Sequence, residues 1–240
     1  MTPDRRESCG LTTPKRSRTA PLHAHVDRVI DDLLGSVPDP EHLSPHERRG
    51  IIARYTAVLE GNFIYWMTAT YLAVSSDIAR AIIEDNLREE IRDNHPGMLR
   101  RFAMAAQAAP TDADALAVHR QLQDVRLFVA RLAGINGVLM MAFFEGFITR
   151  FMPYLADLAR RQGSSEREYT EVHGVVDIEH TEGLFRALEA EMRRTPTHLA
   201  GAATLLDGVG ALRALIERII HPRAGEGSVL DERIVTGIAA

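Results

Sequence analysis

The sequence predicts an all-α protein, a bundle of about seven core helices with non-helical ends. Three observations carry this. Apolar residues between 45 and 195 recur at intervals of three and four, the helical period, and alternating strand patterns are nearly absent. Proline and glycine are scarce over the same span, so few residues interrupt helices. Helix start signals recur, each a serine or threonine followed three residues later by an acid.

Each element follows from these signals. A short helix is expected over about 22–34. The capping box SPHE at 44–47, with Pro45 in the first turn, opens a long helix over 45–73. Another follows over 76–93 and ends at His95-Pro96; the next covers 97–108. TDAD at 111–114 opens a segment running to about 161, with breaks expected near Gly134, Gly137 or Pro153. SERE at 165–168 opens a helix to 194, and a last one covers 198–220 before His221-Pro222.

The 240 residues suffice for one domain, placed at 21–221, with a disordered tail at 1–20 and a flexible one at 222–240. A net charge of -5 offers nucleic acid no general attraction. The basic residues Arg5, Arg6, Lys15, Arg16 and Arg18 lie in the first tail, among Ser, Thr and Pro. The single cysteine, Cys9, lies there too, which excludes an intrachain disulfide and a thiolate metal cluster. The longest strongly apolar run, GVLMMAFF at 137–144, falls short of a bilayer span. A cytoplasmic protein without nucleic-acid or membrane partners is the expectation.

Several polar residues stand where an apolar helix face should not hold them. His173, Asp177 and His180 point within about 60° of one another on a helix. Taken alone, that spacing suits a metal half-site and a solvated face equally well. Glu145 lies in MMAFFEGFITRF, and a carboxylate is seldom buried unless paired or bound to a cation; an ion pair with Arg150 or Arg131 is the plain alternative. Glu60 sits between an amphipathic and an aromatic stretch, next to Gly61, where exposure would also explain it. NLREEIRDNHPGML offers Glu89, Glu90 and His95, for which a charged surface and a simple C-terminal cap are the plain alternatives. Four helices thus carry candidate ligands: Glu60; Glu90 with His95; Glu145; and His173, Asp177 and His180. Oxygen and imidazole donors without thiolates suit iron or manganese and allow zinc, and three histidines with three or four carboxylates exceed one ion's needs.

At these residues the chain resembles the haem-oxygenase-like diiron oxidases and oxygenases. The resemblance covers roughly 45–195 and rests on Glu60, on NLREE with Glu90 followed by His95, and on the H-x3-D-x2-H of His173, Asp177 and His180. Glu145 corresponds to an extra glutamate of several members. Only four residues separate Glu90 from His95, which keeps Glu89 and Glu84 as alternative ligands. Cousins with thiaminase-like chemistry need a nucleophilic cysteine, which the bundle lacks. The resemblance implies a haem-oxygenase-like fold, two Fe(II)/Fe(III) ions, O2 as cosubstrate and an external electron donor.

It further implies a small amino-acid-like substrate in natural-product biosynthesis, oxidised at an aliphatic C–H bond by desaturation, fragmentation or ring closure such as azetidine formation. Nitrogen oxygenation is the alternative within the family. A pocket is expected from Phe63, Trp66, Met67, Met141, Phe144 and Ile148, with Arg126 or Arg131 gripping the substrate carboxylate. A metal-free helical interaction protein and a single-zinc hydrolase are the readings from other classes. Homodimerisation through apolar helix faces is also expected.

Overall fold

A computed structural model describes residues 19–194 and 202–222, all helix and connecting turns among these residues. The helices are α1 (Ala20–Ser36), α2 (Pro45–Ala73), α3 (Asp77–Arg92), α4 (His95–Ala105), α5 (Asp112–Val129), α6 (Gly134–Arg161), α7 (Glu168–Arg194), α8 (Ala202–Leu205) and α9 (Asp207–Ile220). The expected tails fall almost wholly outside the described residues, as does the start of the helix placed at 198–220. The described part of that helix is divided at Leu206 into α8 and α9.

Local chemistry sets most boundaries. Ser44 Oγ accepts from Glu47 N, and the Glu47 carboxylate accepts from Ser44 N, so both orphan donors at the start of α2 are satisfied. Thr111 and Asp114 form the same box at α5. The SERE box does not form: α7 begins at Glu168, whose amide donates to Glu166 Oε1 at 2.8 Å. His95 opens α4 rather than capping α3, because Asn94 takes a left-handed conformation (φ 55°) between the two. The 112–161 segment breaks just before Gly134, where Leu132 is left-handed (φ 50°). Gly134 permits a close approach there, since a Cβ would lie 2.9 Å from the Ala73 carbonyl. Pro153 interrupts nothing. It is exposed on the outer side of α6, which continues unbroken to Arg161.

α6 is the central helix, buried without a gap from Gly137 to Ile148. It packs on α7, α2, α9 and α1, and α3 and α4 also pack on α7. α6 is long and apolar enough to cross a bilayer by length and composition, but 78% of its apolar window is buried in the bundle. One continuous core runs from Val26 to Ile220. A site between α3, α4, α6 and α7 is therefore walled by helices, with α2 along its remaining side.

Candidate metal centre

The spacing on α7 does what helical geometry requires: His173, Asp177 and His180 share the inward face and are 5%, 1% and 6% exposed. Glu171, Glu179 and Glu182 turn to solvent. Glu145 approaches from α6, 1% exposed. Beside it Gly146 lets α1 come close, since a Cβ there would lie 3.2 Å from Ile30 Cδ1. Glu90, at the end of α3, and His95, at the start of α4, meet across the Asn94 turn with Nδ1 to Oε1 at 2.7 Å.

Two groups of three result. Glu90, His95 and His173 bring ligand atoms within 4.8 Å of one another, and so do Glu145, Asp177 and His180. Asp177 links them: it lines the same cavity as Glu90, His95 and His173, and its Oδ1 lies 3.6 Å from His180 Nδ1. The rings of His95 and His173 meet edge to face at 4.5 Å.

The histidines are oriented from behind. His173 Nδ1 donates to the Tyr169 carbonyl at 2.8 Å, which leaves Nε2 with its lone pair free. His180 Nε2 hydrogen-bonds Glu89 Oε2 at 2.8 Å, which turns Nδ1 to Glu145 and Asp177, 3.6 Å away and beyond hydrogen-bonding distance. Backing a ligand imidazole with a carbonyl or carboxylate is a common arrangement around metals.

Electrostatics single out the second group. Burial, reinforced by the charge of Glu145, pushes Asp177 up to about 7. Burial likewise raises Glu145. For His180 burial alone would lower the value; the Asp177 and Glu145 carboxylates, with Glu89, reverse that and push it up to about 11. His95 is raised by Glu90 against the opposing effect of burial. Both oxygens of Glu145, both of Asp177 and Nδ1 of His180 are buried without a hydrogen-bond partner. Unpaired buried carboxylates are costly, and a cation between them removes the cost. Three imidazoles and three carboxylates without a thiolate suit iron. The residues therefore fit the metal that the chemistry asks for.

The structure does not bring every expected residue to this place. Glu60 stands outside both groups. Leu59 and Phe63 point inward from α2, whereas Glu60, about 100° round the helix, lies at the seam with α4 and accepts from Arg100 Nε at 2.6 Å. Of the three carboxylates on α3, Glu90 faces the cluster, Glu89 backs His180, and Glu84 pairs with Arg88 near the surface. Arg126 and Arg131 do not line the cavity. Arg126 is exposed and donates to Asn62 Oδ1 at 2.9 Å, and Arg131 is exposed over the Phe128 ring near Asp207. Glu145 pairs with neither Arg131 nor Arg150, whose partner is Asp31. Met67 and Phe144 are buried in the core, Phe144 against Phe63 and Trp66.

Phe63 and Ile148 do line the cavity, a space of about 20 Å³ whose other apolar walls are Leu59, Ile64, Pro96 and Leu99. Sequence reading passed over two supports. Tyr169 is one turn before His173 and its hydroxyl meets Tyr55 at 2.9 Å; Glu89, expected as an alternative ligand or a surface charge, instead backs His180. The four-residue step from Tyr169 to His173 was a legible signal, since a helical side chain there can reach back to that carbonyl.

An enclosed helical bundle with two buried histidine–carboxylate groups defines the class as a metal-dependent helical protein. A family model described as iron-containing redox enzyme, of the haem-oxygenase-like kind, matches residues 52–209, and the chain belongs to that family. No curated protein matches the chain. The protein is thus an iron-dependent oxidoreductase with a haem-oxygenase-like all-α fold.

Proposed function

We propose that the chain is an O2-dependent oxidase or oxygenase holding two iron ions, one in each histidine–carboxylate group. One observation carries the reading: the buried, unpartnered oxygens of Glu145 and Asp177 stand beside a second complete group, and the inward face of α7 contributes to both. Glu90, His95 and His173 would hold one ion, and Glu145, Asp177 and His180 the other, with Asp177 placed between them. Bound iron supplies activation of O2 and the redox equivalents. The chain's own residues do the remainder. The Tyr169 carbonyl and Glu89 fix the imidazoles of His173 and His180, and the apolar walls keep bulk water from the reacting atoms.

The substrate proposed is a small molecule with an aliphatic reacting part and an anionic end, the amino-acid-like class, in natural-product biosynthesis. Apart from the donors, the cavity wall presents aliphatic and aromatic carbon, which favours oxidation at a C–H bond over oxygenation of nitrogen. The cavity is too small for such a molecule as it stands, so entry requires α2 and α4 to part. Ile64 and Pro96, both partly exposed, form its rim on that seam. One turn away on each helix, Glu60 and Arg100 form the next rung. Arg100 is the proposed anchor for the substrate carboxylate, with Glu60 holding the place until it arrives, because an exposed pair contributes little and exchanges readily.

The test is anaerobic Fe(II) titration followed by mixing with O2 and a panel of free amino acids. Uptake of about two ions per chain, with an O2-dependent visible band whose decay one substrate accelerates, is the expected result. No uptake would return the bundle to the metal-free interaction reading, and a colourless single-zinc protein to the hydrolase reading.

A further inference from the structure

Away from the metal centre, a cleft of about 330 Å³ opens between the loop before α2, the first turns of α2 and the end of α9. Arg54 lines it from α2 and is only 7% exposed. Arginine is almost never buried without a partner that accepts its charge. Here Nε donates to the Ile219 carbonyl at 2.8 Å, capping the last turn of α9. That satisfies one of five N–H donors on the guanidinium. Among the described residues no carboxylate forms an ion pair with Arg54, and no acceptor meets Nη1 or Nη2.

The nearby acid is already committed. Asp114 takes a two-pronged contact from Arg49, at 3.1 and 2.7 Å, and caps α5 through Thr111. Glu47 also lines the cleft, but its carboxylate is held by Ser44 N and Oγ at 2.8 and 2.7 Å. Burial pushes Arg54 down to about 10, against the attraction of Asp114. Gly50, one turn before Arg54, leaves the space the guanidinium fills: a Cβ there would lie 2.8 Å from Nη1, and the three atoms nearest to it are all Arg54's own. His46 and His221, both exposed, stand at the rim; His221 Nε2 donates to the Ser36 carbonyl at 3.2 Å, which leaves His46 as the imidazole open to the cleft.

We propose that Arg54 and this cleft form an oxyanion site, taking a phosphoryl or carboxylate group on the free Nη1 and Nη2 donors. A planar fork whose two Nη nitrogens, with four N–H groups, are unused beside an open cleft is the geometry that grips two oxygens of one anion. The site lies outside the iron-binding groups and is independent of the reaction proposed for them.

Calorimetric titration of the full-length chain, kept metal-free with a chelator at constant ionic strength, with inorganic phosphate tests the proposal. Saturable binding is expected, with a matching rise in the thermal midpoint. Gly50→Ala places a methyl group 2.8 Å from Nη1, which displaces the guanidinium, and improves helix propensity, so it should stay folded and weaken phosphate at least about tenfold. Arg54→Lys keeps the charge without the fork and should weaken it as well. Acetate competing with phosphate marks a carboxylate site, and acetate without effect a phosphoryl one. Phosphate bound at the metal centre would survive Gly50→Ala. Absence of saturable binding in the unaltered chain, or unchanged binding in Gly50→Ala, overturns the proposal.

Discussion

Two buried carboxylates on α7, Asp177 and Glu191, differ in what surrounds them. Glu191, 2% exposed, accepts from Ser75 N at 2.9 and 3.0 Å and from Ser76 N at 2.8 Å, so its charge rests on backbone donors at the start of α3. Asp177, 1% exposed, has no hydrogen-bond partner for either oxygen and faces Glu145, another unpartnered carboxylate. The same residue class at the same depth in one helix is anchored by backbone donors in one place and left without a donor in the other. Burial alone does not mark a functional acid; burial without a donor does.

Substitution should separate the two. Asp177→Ala is expected to lose most iron uptake, measured as metal per chain after anaerobic loading, while the metal-free protein melts no lower than the original. Glu191→Ala should do the reverse. It leaves the Ser75 and Ser76 amides without an acceptor, at a cost of about 2–3 kcal/mol in thermal unfolding, while iron per folded chain stays unchanged. If Asp177→Ala unfolds the protein and Glu191→Ala does not, the comparison fails.

A smaller effect is expected from pH on the metal-free protein. Asp177 is raised from 3.8 to about 7 on folding and His180 from 6.5 to about 11, so the folded state binds more protons than the unfolded one. Stability therefore falls as pH rises, through Asp177 between about 4 and 7 and through His180 above that. Melting of the chelated protein at pH 5 and at pH 9 checks the sign, and Asp177→Asn should flatten the lower part. Iron binding should show the opposite trend, because protons compete for the same atoms. The smallest effect belongs to Glu179→Ala. That residue is exposed on α7 between Asp177 and His180, and its loss should change stability by under about 0.5 kcal/mol and iron uptake not at all.

Much of this was legible in the chain. The α7 triad followed from a spacing of four and three, and Glu145 from its misfit among Met and Phe. Glu90 could be told from Glu89 and Glu84 only with the structure, because neighbouring positions on one helix differ by rotation and the sequence does not say which side α7 occupies. Glu60 misled for the same reason: its apolar neighbours Leu59 and Phe63 are inward, and it is one step round. Arg126 and Arg131 were judged by distance along the chain from Glu145, but the break at Leu132 and Ala133 takes them to other surfaces.

The amino-acid sequence by itself determined the helical class, the box-capped starts of α2 and α5, the ligand types and the face they share on α7, because periodicity and capping act within a few residues. Only the tertiary structure decided which carboxylates meet the histidines, which acid is satisfied, and that Arg54 is left with unused donors. Those outcomes depend on contacts between helices, and a rotation of one helix by a single residue exchanges a ligand for a surface charge.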